Sequence, residues 1–182
     1  MRRVMAKLTN NFDESEFRCK DKDGTPWPAE ERGALDNLAK DMQIAADAWH
    51  SLLCELYERI GIERKVDSRI QVVSAYRTLE YNRSVGSNDT SQHTDRLGNP
   101  AKNTPPCAAD IRPMLQSISE LRMGNDQILR MFYLTIRRCV DEGEMAPGGL
   151  GLYFDSNFVH YDNRGLYGLP SARWGDEIEK GV

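Results

Sequence analysis

The feature that most constrains the fold is a long apolar stripe in the first third of the chain. Apolar residues recur there at steps of three and four, the spacing that places side chains on one face of an α-helix. They are Leu35, Leu38, Met42, Ala45, Trp49, Leu52, Leu56 and Ile60. Pro28 and the acidic Glu30 favour a helix start before the stripe, and Gly61 favours an end after it. The stripe predicts one long helix with a single buried face.

Short strand-like segments follow this helix. The segments that predict strands are "RIQVVSAY" (69–76), "CAADIRP" (107–113), "GGLGLYF" (148–154) and "NFVHYDNR" (157–164). The last two are separated by a short turn and so predict an antiparallel pair. Residues 114–141 predict one or two helices broken near Gly124, residues 86–106 a long loop, and the end of the chain a polar tail that closes at Trp174. We therefore expect an α+β fold in which a small antiparallel sheet packs against helices.

Length and charge limit the classes of protein that fit. A chain of 182 residues without a linker or repeat predicts a single domain over residues 1–182. Its net charge of −4, without a basic stripe, argues against nucleic-acid binding. No apolar run reaches the roughly 20 residues of a membrane span, and "MRRVMAKLTNNF" lacks the apolar core of a secretory signal. We expect a monomer made in the cytoplasm.

The four cysteines form neither a CxxC pair nor a zinc-finger spacing. Cys54 and Cys139 lie in helical patterns and are expected to be core thiols. Whether Cys19 and Cys107 meet stays open at this point. His50 lies within the long helix, beside Trp49, and is expected to be structural.

Two histidines and an aspartate carry the strongest indication of chemistry. Each is weak alone, because a single loop histidine is usually a solvated side chain and a strand histidine is usually structural. Together, His93, Asp110 and His160 supply the three nitrogen and oxygen ligands of a catalytic zinc site, which leaves a fourth position open. Small residues before Asp110 would let the backbone approach a metal closely. The pattern therefore favours a Zn²⁺ site.

The segments around these residues resemble the zinc D-alanyl-D-alanine carboxypeptidase-like murein peptidases, whose fold is shared with the hedgehog signalling domain. Ser91 and His93 match the family's Ser-x-His, Ala108 and Asp110 match its Ala-x-Asp, and "GGLGLYFDSNFVHYD" matches the segment with its last histidine. "SAYRT" with Tyr81 and Asn82 resembles the segment where the family places an arginine beside the substrate. "NFDESEF" near the start and "ARW" (172–174) also resemble the family's frame. The resemblance implies the hedgehog/DD-peptidase-like fold, with the zinc site on the sheet.

Two departures from the family pattern bear on the site. Sixteen residues (94–109) separate His93 from Asp110, ten more than is usual, and Pro106 stands where the family usually has glycine. Such an insertion is tolerated if it loops outward, because loop-closure cost grows slowly with length. We expect the inserted loop, about 94–106, to form a rim of the substrate cleft.

The second departure concerns the general base. Many relatives carry a carboxylate three residues before the last histidine, where this chain has Asn157. Strand alternation puts Asp162 on the same face as His160, so Asp162 is expected either to take the proton from water or to orient His160. Asp155, in the expected hairpin turn, is the weaker candidate for the base.

The resemblance implies a zinc-dependent peptidase acting on peptidoglycan stem peptides or cross-links. Arg77 would bind a substrate carboxylate or stabilise the oxyanion, with a surface arginine as the alternative. Asn82 and Ser91 would also contact substrate. We expect a phage-type lysis enzyme that acts on the wall in the periplasm after release. The alternatives are a cytoplasmic D-Ala-D-Ala dipeptidase or muropeptide-recycling peptidase, and a non-catalytic metal-binding or recognition domain. These residues do not specify the bond cut, or carboxypeptidase against endopeptidase action.

Overall fold

A computed structural model describes residues 7–63, 66, 68–96, 102–114 and 121–175. Its elements are α1 (Arg32–Arg59), β1 (Ile70–Ser74), α2 (Leu79–Ser84), β2 (Ala108–Pro113), α3 (Asn125–Asp141), β3 (Gly149–Tyr153), β4 (Phe158–Asp162) and β5 (Ala172–Gly175). Short 3-10 turns lie at Glu14–Phe17, Ala29–Glu31 and Arg164–Tyr167. Three regions on which predictions were made lie outside the described residues: the charged start (1–6), the middle of the inserted loop (97–101) and part of the expected first helix of 114–141 (115–120).

The long helix α1 forms as its apolar stripe predicts. The stripe is buried from Leu35 to Trp49, and Trp49 packs edge-on against Phe132 of α3, with ring centroids 5.3 Å apart. In the last two turns the buried residues are Leu53 and Tyr57, whereas the expected Leu52 and Leu56 are half-buried and Ile60 is exposed. Neighbouring apolar residues at 52–53 and 56–57 make the period ambiguous there, so the packing partner decides which face is buried.

The sheet has five strands in the order β1-β2-β4-β3-β5. The pairs β1–β2, β2–β4 and β3–β4 are antiparallel, as predicted, and β4 follows β3 through a turn at 154–157. β5 was missed, because its four residues lie in the segment expected to be a polar tail. It pairs parallel to β3, which makes the sheet mixed.

The register of the sheet places the functional side chains. In it, Asp110 of β2 pairs with His160 of β4, and His160 pairs with Gly151 of β3. Because strand side chains alternate, His160 and Asp162 share one face, and Val159 and Tyr161 face the helices. The Tyr161 hydroxyl donates to Asp41 of α1 at 3.0 Å. One face of the sheet therefore builds the core against α1 and α3, and the other carries polar groups.

Candidate metal centre and cleft

His93, Asp110 and His160 meet on the polar face of the sheet. One ligand atom from each lies within 4.8 Å of the other two, and all three side chains are buried. His93 Nε2 is 3.2 Å from His160 Nδ1 and 3.2 Å from Asp110 Oδ1, and His160 Nδ1 is 2.8 Å from that same oxygen. The three residues come from the turn before the inserted loop, from β2 and from β4, so the fold brings together residues far apart in sequence.

Each histidine ring also makes a hydrogen bond on the side away from the other two residues. That bond shows which ring nitrogen carries the proton. His93 Nδ1 lies 2.6 Å from the Ala75 carbonyl oxygen, which can only accept, so this nitrogen carries the proton. His160 Nε2 lies 3.1 Å from the Asp162 carboxylate and donates to it in the same way. When both rings are neutral, His93 Nε2 and His160 Nδ1 carry no hydrogen. Their lone pairs then face each other and the Asp110 oxygen. A cation satisfies such a set of three acceptors.

The charges around the site favour this interpretation. Burial raises the pKa of Asp110, but the two histidines hold it well below its usual range, so the carboxylate stays ionised. Burial lowers the pKa of His93. Burial also opposes charge on His160, yet its contacts with Asp110 and Asp162 raise its pKa to about 9, so without a metal a proton on Nδ1 lies between His160 and Asp110, where a cation would replace it. Two imidazole nitrogens and one carboxylate oxygen are the donors of a catalytic zinc, and a fourth position can remain open to the cleft.

Arg77 lies directly beside the candidate ligands. Its Nη2 donates to Asp110 Oδ2 at 2.5 Å, its Nε donates to Ser74 Oγ at 2.9 Å, and its backbone N–H donates to the His93 carbonyl at 2.9 Å. The expected place of Arg77 beside the metal site is therefore what the structure shows. Its side chain is 15% exposed and lines the cleft, so the surface-arginine alternative does not fit.

Asp162 lies beneath His160 and is completely buried. Besides His160, it accepts hydrogen bonds from Arg164 Nε at 2.7 Å, Arg164 Nη2 at 2.6 Å and the Gly149 N–H at 3.1 Å. Burial opposes ionisation, but Arg164 and His160 lower the pKa of Asp162 strongly. Arg164 was missed from the sequence, because it lies beyond the end of β4, in the 3-10 turn Arg164–Tyr167, where strand alternation does not place its side chain.

The hairpin turn before β4, which holds Asn157 and the weaker candidate for the base, Asp155, brings no carboxylate to the cleft lining. Asn157 occupies the hairpin turn with a φ of 53°, a left-handed conformation that asparagine tolerates. Asp155 is exposed in the same turn and is not among the residues that line the cleft. Among the described residues lining the cleft, Asp110 is the only carboxylate.

An aromatic wall beside His160 was also missed. The Trp174 ring lies 5.2 Å from the His160 ring, and its Nε1 donates to the Tyr153 hydroxyl at 2.6 Å. The Phe158 ring packs against Tyr153 at a tilt of 36°, with ring centroids 4.8 Å apart. Trp174 pairs with Gly151 across β3 and β5, and a Cβ on Gly151 would be 2.5 Å from the indole nitrogen. Glycine at 151 thus leaves the space that the indole occupies.

The metal centre opens into a cleft of about 660 Å³. Besides the aromatic wall, its lining includes a polar segment, which we call the polar wall: Ser87, Asn88, Thr90, Ser91 and Gln92. Ser91 is therefore in the cleft, as expected for a substrate contact. Asn82 is not: it is completely buried and its amide donates to the Asn88 carbonyl at 2.8 Å. Its place in the structure is that of a support for the polar wall, which corrects the expectation of direct substrate contact.

The ends of the inserted loop pack beneath the His93 turn. The Lys102 side chain is buried, and its ammonium donates to the carbonyl oxygens of Ser91 at 3.0 Å, Pro105 at 3.3 Å and Thr94. None of the described loop residues, 94–96 and 102–106, is among those that line the cleft. The expected rim therefore does not include these ends, and for residues 97–101 it stays a prediction.

The four cysteines and His50 do not belong to the candidate metal centre. All four cysteines are free, so Cys19 and Cys107 do not pair in this structure. Cys139 is buried as expected, and Cys54 is half-buried. His50 lies on α1, where its Nδ1 is 2.8 Å from the Ser68 hydroxyl. No helix among the described residues has the length and apolar character needed to cross a bilayer.

Comparison with known proteins agrees with this geometry. The family model for peptidase M15 matches residues 30–133, more than half of the chain. The match includes Arg77, His93 and Asp110, and the structure brings His160 to them from beyond its end. No curated protein and no solved structure matches the chain. The chain belongs to the peptidase M15 family of zinc-dependent, D-Ala-D-Ala carboxypeptidase-like peptidases.

Proposed function

We propose that this protein hydrolyses peptide bonds in peptidoglycan stem peptides or their cross-links, with zinc held by His93, Asp110 and His160. One observation carries the proposal: two histidine nitrogens and a carboxylate oxygen lie within 3.2 Å of one another in the lining of an open cleft. Family membership supports peptidoglycan as the substrate class. When bound, zinc polarises a carbonyl group and lowers the pKa of water towards about 7.

The surrounding residues hold the three ligands in place. Arg77 holds the Asp110 carboxylate in orientation through Nη2, and the Ala75 carbonyl fixes the tautomer of His93. Because the described contacts of Arg77 use Nε and Nη2, its Nη1 is left to bind a substrate carboxylate or carbonyl oxygen at the cleft wall. Arg77 therefore serves both the ligand set and the substrate.

Asp162 serves the metal centre through His160. Of the two roles expected for it, general base or orienting group, its contacts favour the second. It is fully buried, and its two oxygens already accept from His160, Arg164 and Gly149. A carboxylate that receives the N–H of a ligand histidine fixes the ring and increases its basicity.

The size of the cleft favours a stem peptide over a free dipeptide. A volume of about 660 Å³ is larger than two alanine residues require, and the polar wall offers hydroxyl and amide groups for additional peptide units. We extend the proposal to a phage-type lysis enzyme that cuts intact cell-wall peptidoglycan. A D-Ala-D-Ala dipeptidase is the competing specificity.

The test is digestion by the zinc-loaded protein of purified sacculi, of a defined stem peptide and of free D-Ala-D-Ala, followed by mass spectrometry. We expect soluble muropeptides from sacculi and a single cleaved bond in the stem peptide. His93→Ala should lose this activity, and His50→Ala should retain it because His50 lies outside the metal centre. Cleavage of D-Ala-D-Ala alone would favour the dipeptidase. Bound zinc without hydrolysis of any of the three would overturn the proposal.

A further inference from the structure

The hydrogen bond between Trp174 and Tyr153 leaves a proton unassigned. The indole nitrogen carries a hydrogen and has no available lone pair, so it can only donate. The Tyr153 oxygen, 2.6 Å away, must therefore accept this bond. The hydroxyl hydrogen of Tyr153 cannot point towards Trp174 and is available to another acceptor.

Tyr153 is placed where a substrate could be that acceptor. It lines the cleft together with His93, Asp110 and His160. Trp174, which holds its hydroxyl oxygen, packs against the His160 ring at a tilt of 48°, with ring centroids 5.2 Å apart. The Phe158 ring at 4.8 Å fixes the tyrosine ring from the side. Two aromatic neighbours thus restrict the phenol to one position next to the candidate metal centre.

Each of the two arginines of the cleft is held by a carboxylate, although Nη1 of Arg77 stays available to substrate. Arg77 is paired with Asp110, and Arg164 is paired with Asp162 through two parallel hydrogen bonds. Arg164 also lies over the Trp174 ring, 5.2 Å from its centroid. On the aromatic side of the cleft, Tyr153 is therefore the neutral donor that is held in position with its proton uncommitted.

We propose that Tyr153 is a further catalytic residue, whose hydroxyl donates a hydrogen bond to the carbonyl oxygen of the scissile peptide as that oxygen gains negative charge. Trp174 is the positioning residue that holds the tyrosine oxygen. The proposal rests on the peptidase function proposed above. It adds a donor on the aromatic wall, and it does not require Tyr153 to ionise.

In the reaction, the oxygen of water forms a bond to the carbonyl carbon, and the π electron pair of the C=O bond moves onto its oxygen. Tyr153 keeps its proton throughout and stabilises this charge by a hydrogen bond. The pair then returns to the carbon, the C–N bond breaks, and one proton of the attacking water ends on the amine nitrogen. Donors directed at developing charge commonly contribute about 10²-fold to 10³-fold in kcat.

Tyr153→Phe and Trp174→Phe test the two roles, with Tyr167→Phe as the matched control. Tyr167 is a half-buried tyrosine that is not among the cleft-lining residues. On a stem peptide, we expect Tyr153→Phe to lower kcat about 10²-fold with little change in KM. Trp174→Phe keeps an aromatic ring but removes the N–H, and should lower kcat by a smaller factor. Zinc affinity should be unchanged in all three variants.

A second measurement does not depend on turnover. Dimethylphosphinate presents two oxygens on a tetrahedral centre and contains no part of the peptide, so its binding is independent of the bond that is cut. By calorimetry on the zinc-loaded proteins, we expect Tyr153→Phe to weaken its binding about tenfold or more, and Tyr167→Phe to leave it unchanged. Equal kcat and equal phosphinate affinity in wild type and Tyr153→Phe would overturn the proposal. If wild type bound phosphinate through Tyr153 but cut no peptide, only the peptidase function would fail.

Discussion

His93 Nε2 and His160 Nδ1 face each other across 3.2 Å, and each ring donates its other N–H away from the gap. With Asp110 Oδ1 within 3.2 Å of both nitrogens, the neutral rings leave three acceptors and no hydrogen between them. A single proton can satisfy one pair of these acceptors by a hydrogen bond, whereas a metal cation can bind all three. The relationship between these two histidines is therefore the strongest structural reason to expect a bound metal.

Metal removal should destabilise the protein measurably. A ligand that binds only the folded state contributes about 2.7 kcal/mol to the free energy of unfolding at a concentration of 100 times its Kd. We expect a chelator to lower the melting temperature and one equivalent of zinc to restore it. His160→Ala should abolish zinc binding and make the melting temperature insensitive to chelation. A His160→Ala protein that still bound one zinc with wild-type affinity would contradict this ligand set.

Asp162→Asn separates the two roles expected of this residue. If Asp162 orients His160, the asparagine oxygen still accepts the histidine N–H but without charge, and zinc affinity should fall about 10-fold to 100-fold. The kcat at saturating zinc should then fall much less. If Asp162 were the general base, kcat should instead fall about 10²-fold to 10⁴-fold with zinc affinity unchanged. Zinc titration and steady-state kinetics on one preparation distinguish these results.

Asp155→Asn is the matched control for that experiment. It removes a carboxylate from the hairpin that precedes β4, at an exposed position away from the cleft lining. Zinc affinity and kcat should both stay at wild-type values. Asp162 also pairs with the partly buried Arg164, so Asp162→Asn is expected to destabilise the fold. Both variants should therefore be compared well below their melting temperatures.

The three residues that meet at the candidate metal centre could be predicted from sequence, but the walls of the cleft could not. His93, Asp110 and His160 have side chains of the required chemistry in a recognisable order, so local sequence was sufficient. Tyr153 and Trp174 act together only because β5 pairs parallel to β3, and no local pattern encodes that pairing. The four residues of β5 are half-buried and lack the alternation that marks longer strands.

Asn82, in contrast, was predicted to contact substrate but is buried. Its sequence neighbourhood, close to Arg77, placed it in the substrate segment, and α2 does lie near the cleft. A helix, however, points successive residues in different directions, and Asn82 is on the buried side of α2. Arg77 of this segment lines the cleft, but tertiary packing decides which of the other side chains reach it, and Asn82 does not.

Gly151→Ala should disturb the aromatic wall. The added Cβ would lie 2.5 Å from Trp174 Nε1 and 2.9 Å from two ring carbons, and a rigid indole cannot yield by rotating a terminal group. We expect a loss of about 1–3 kcal/mol in the free energy of unfolding, together with a change in tryptophan fluorescence. In Gly151→Ala/Trp174→Ala the clash is absent, so the two substitutions should not be additive. Gly33→Ala, at a helical position with open space around it, should cause neither change.

Lys102→Met should destabilise the turn that carries His93. The methionine fills a similar space but cannot donate, so the carbonyls of Ser91, Thr94 and Pro105 lose a buried partner. Leaving buried acceptors unsatisfied costs on the order of 1–3 kcal/mol. Urea unfolding of the zinc-free proteins measures this loss without a contribution from metal. An unchanged unfolding midpoint and slope would show that the lysine contacts do not hold the loop.

The same lysine gives the protein a testable pH dependence. Burial lowers the pKa of Lys102 from 10.5 to about 8, although nearby acidic groups oppose the shift. Between these two pH values the unfolded chain binds more protons than the folded one, so the contribution of Lys102 to stability increases as pH rises through this window. Below the lower value it is constant. The free energy of unfolding of wild type, minus that of Lys102→Met, should therefore be larger at about pH 10 than at about pH 7, by up to about 3 kcal/mol. A difference that is flat or falls with pH would mean that Lys102 is not buried as the structure places it.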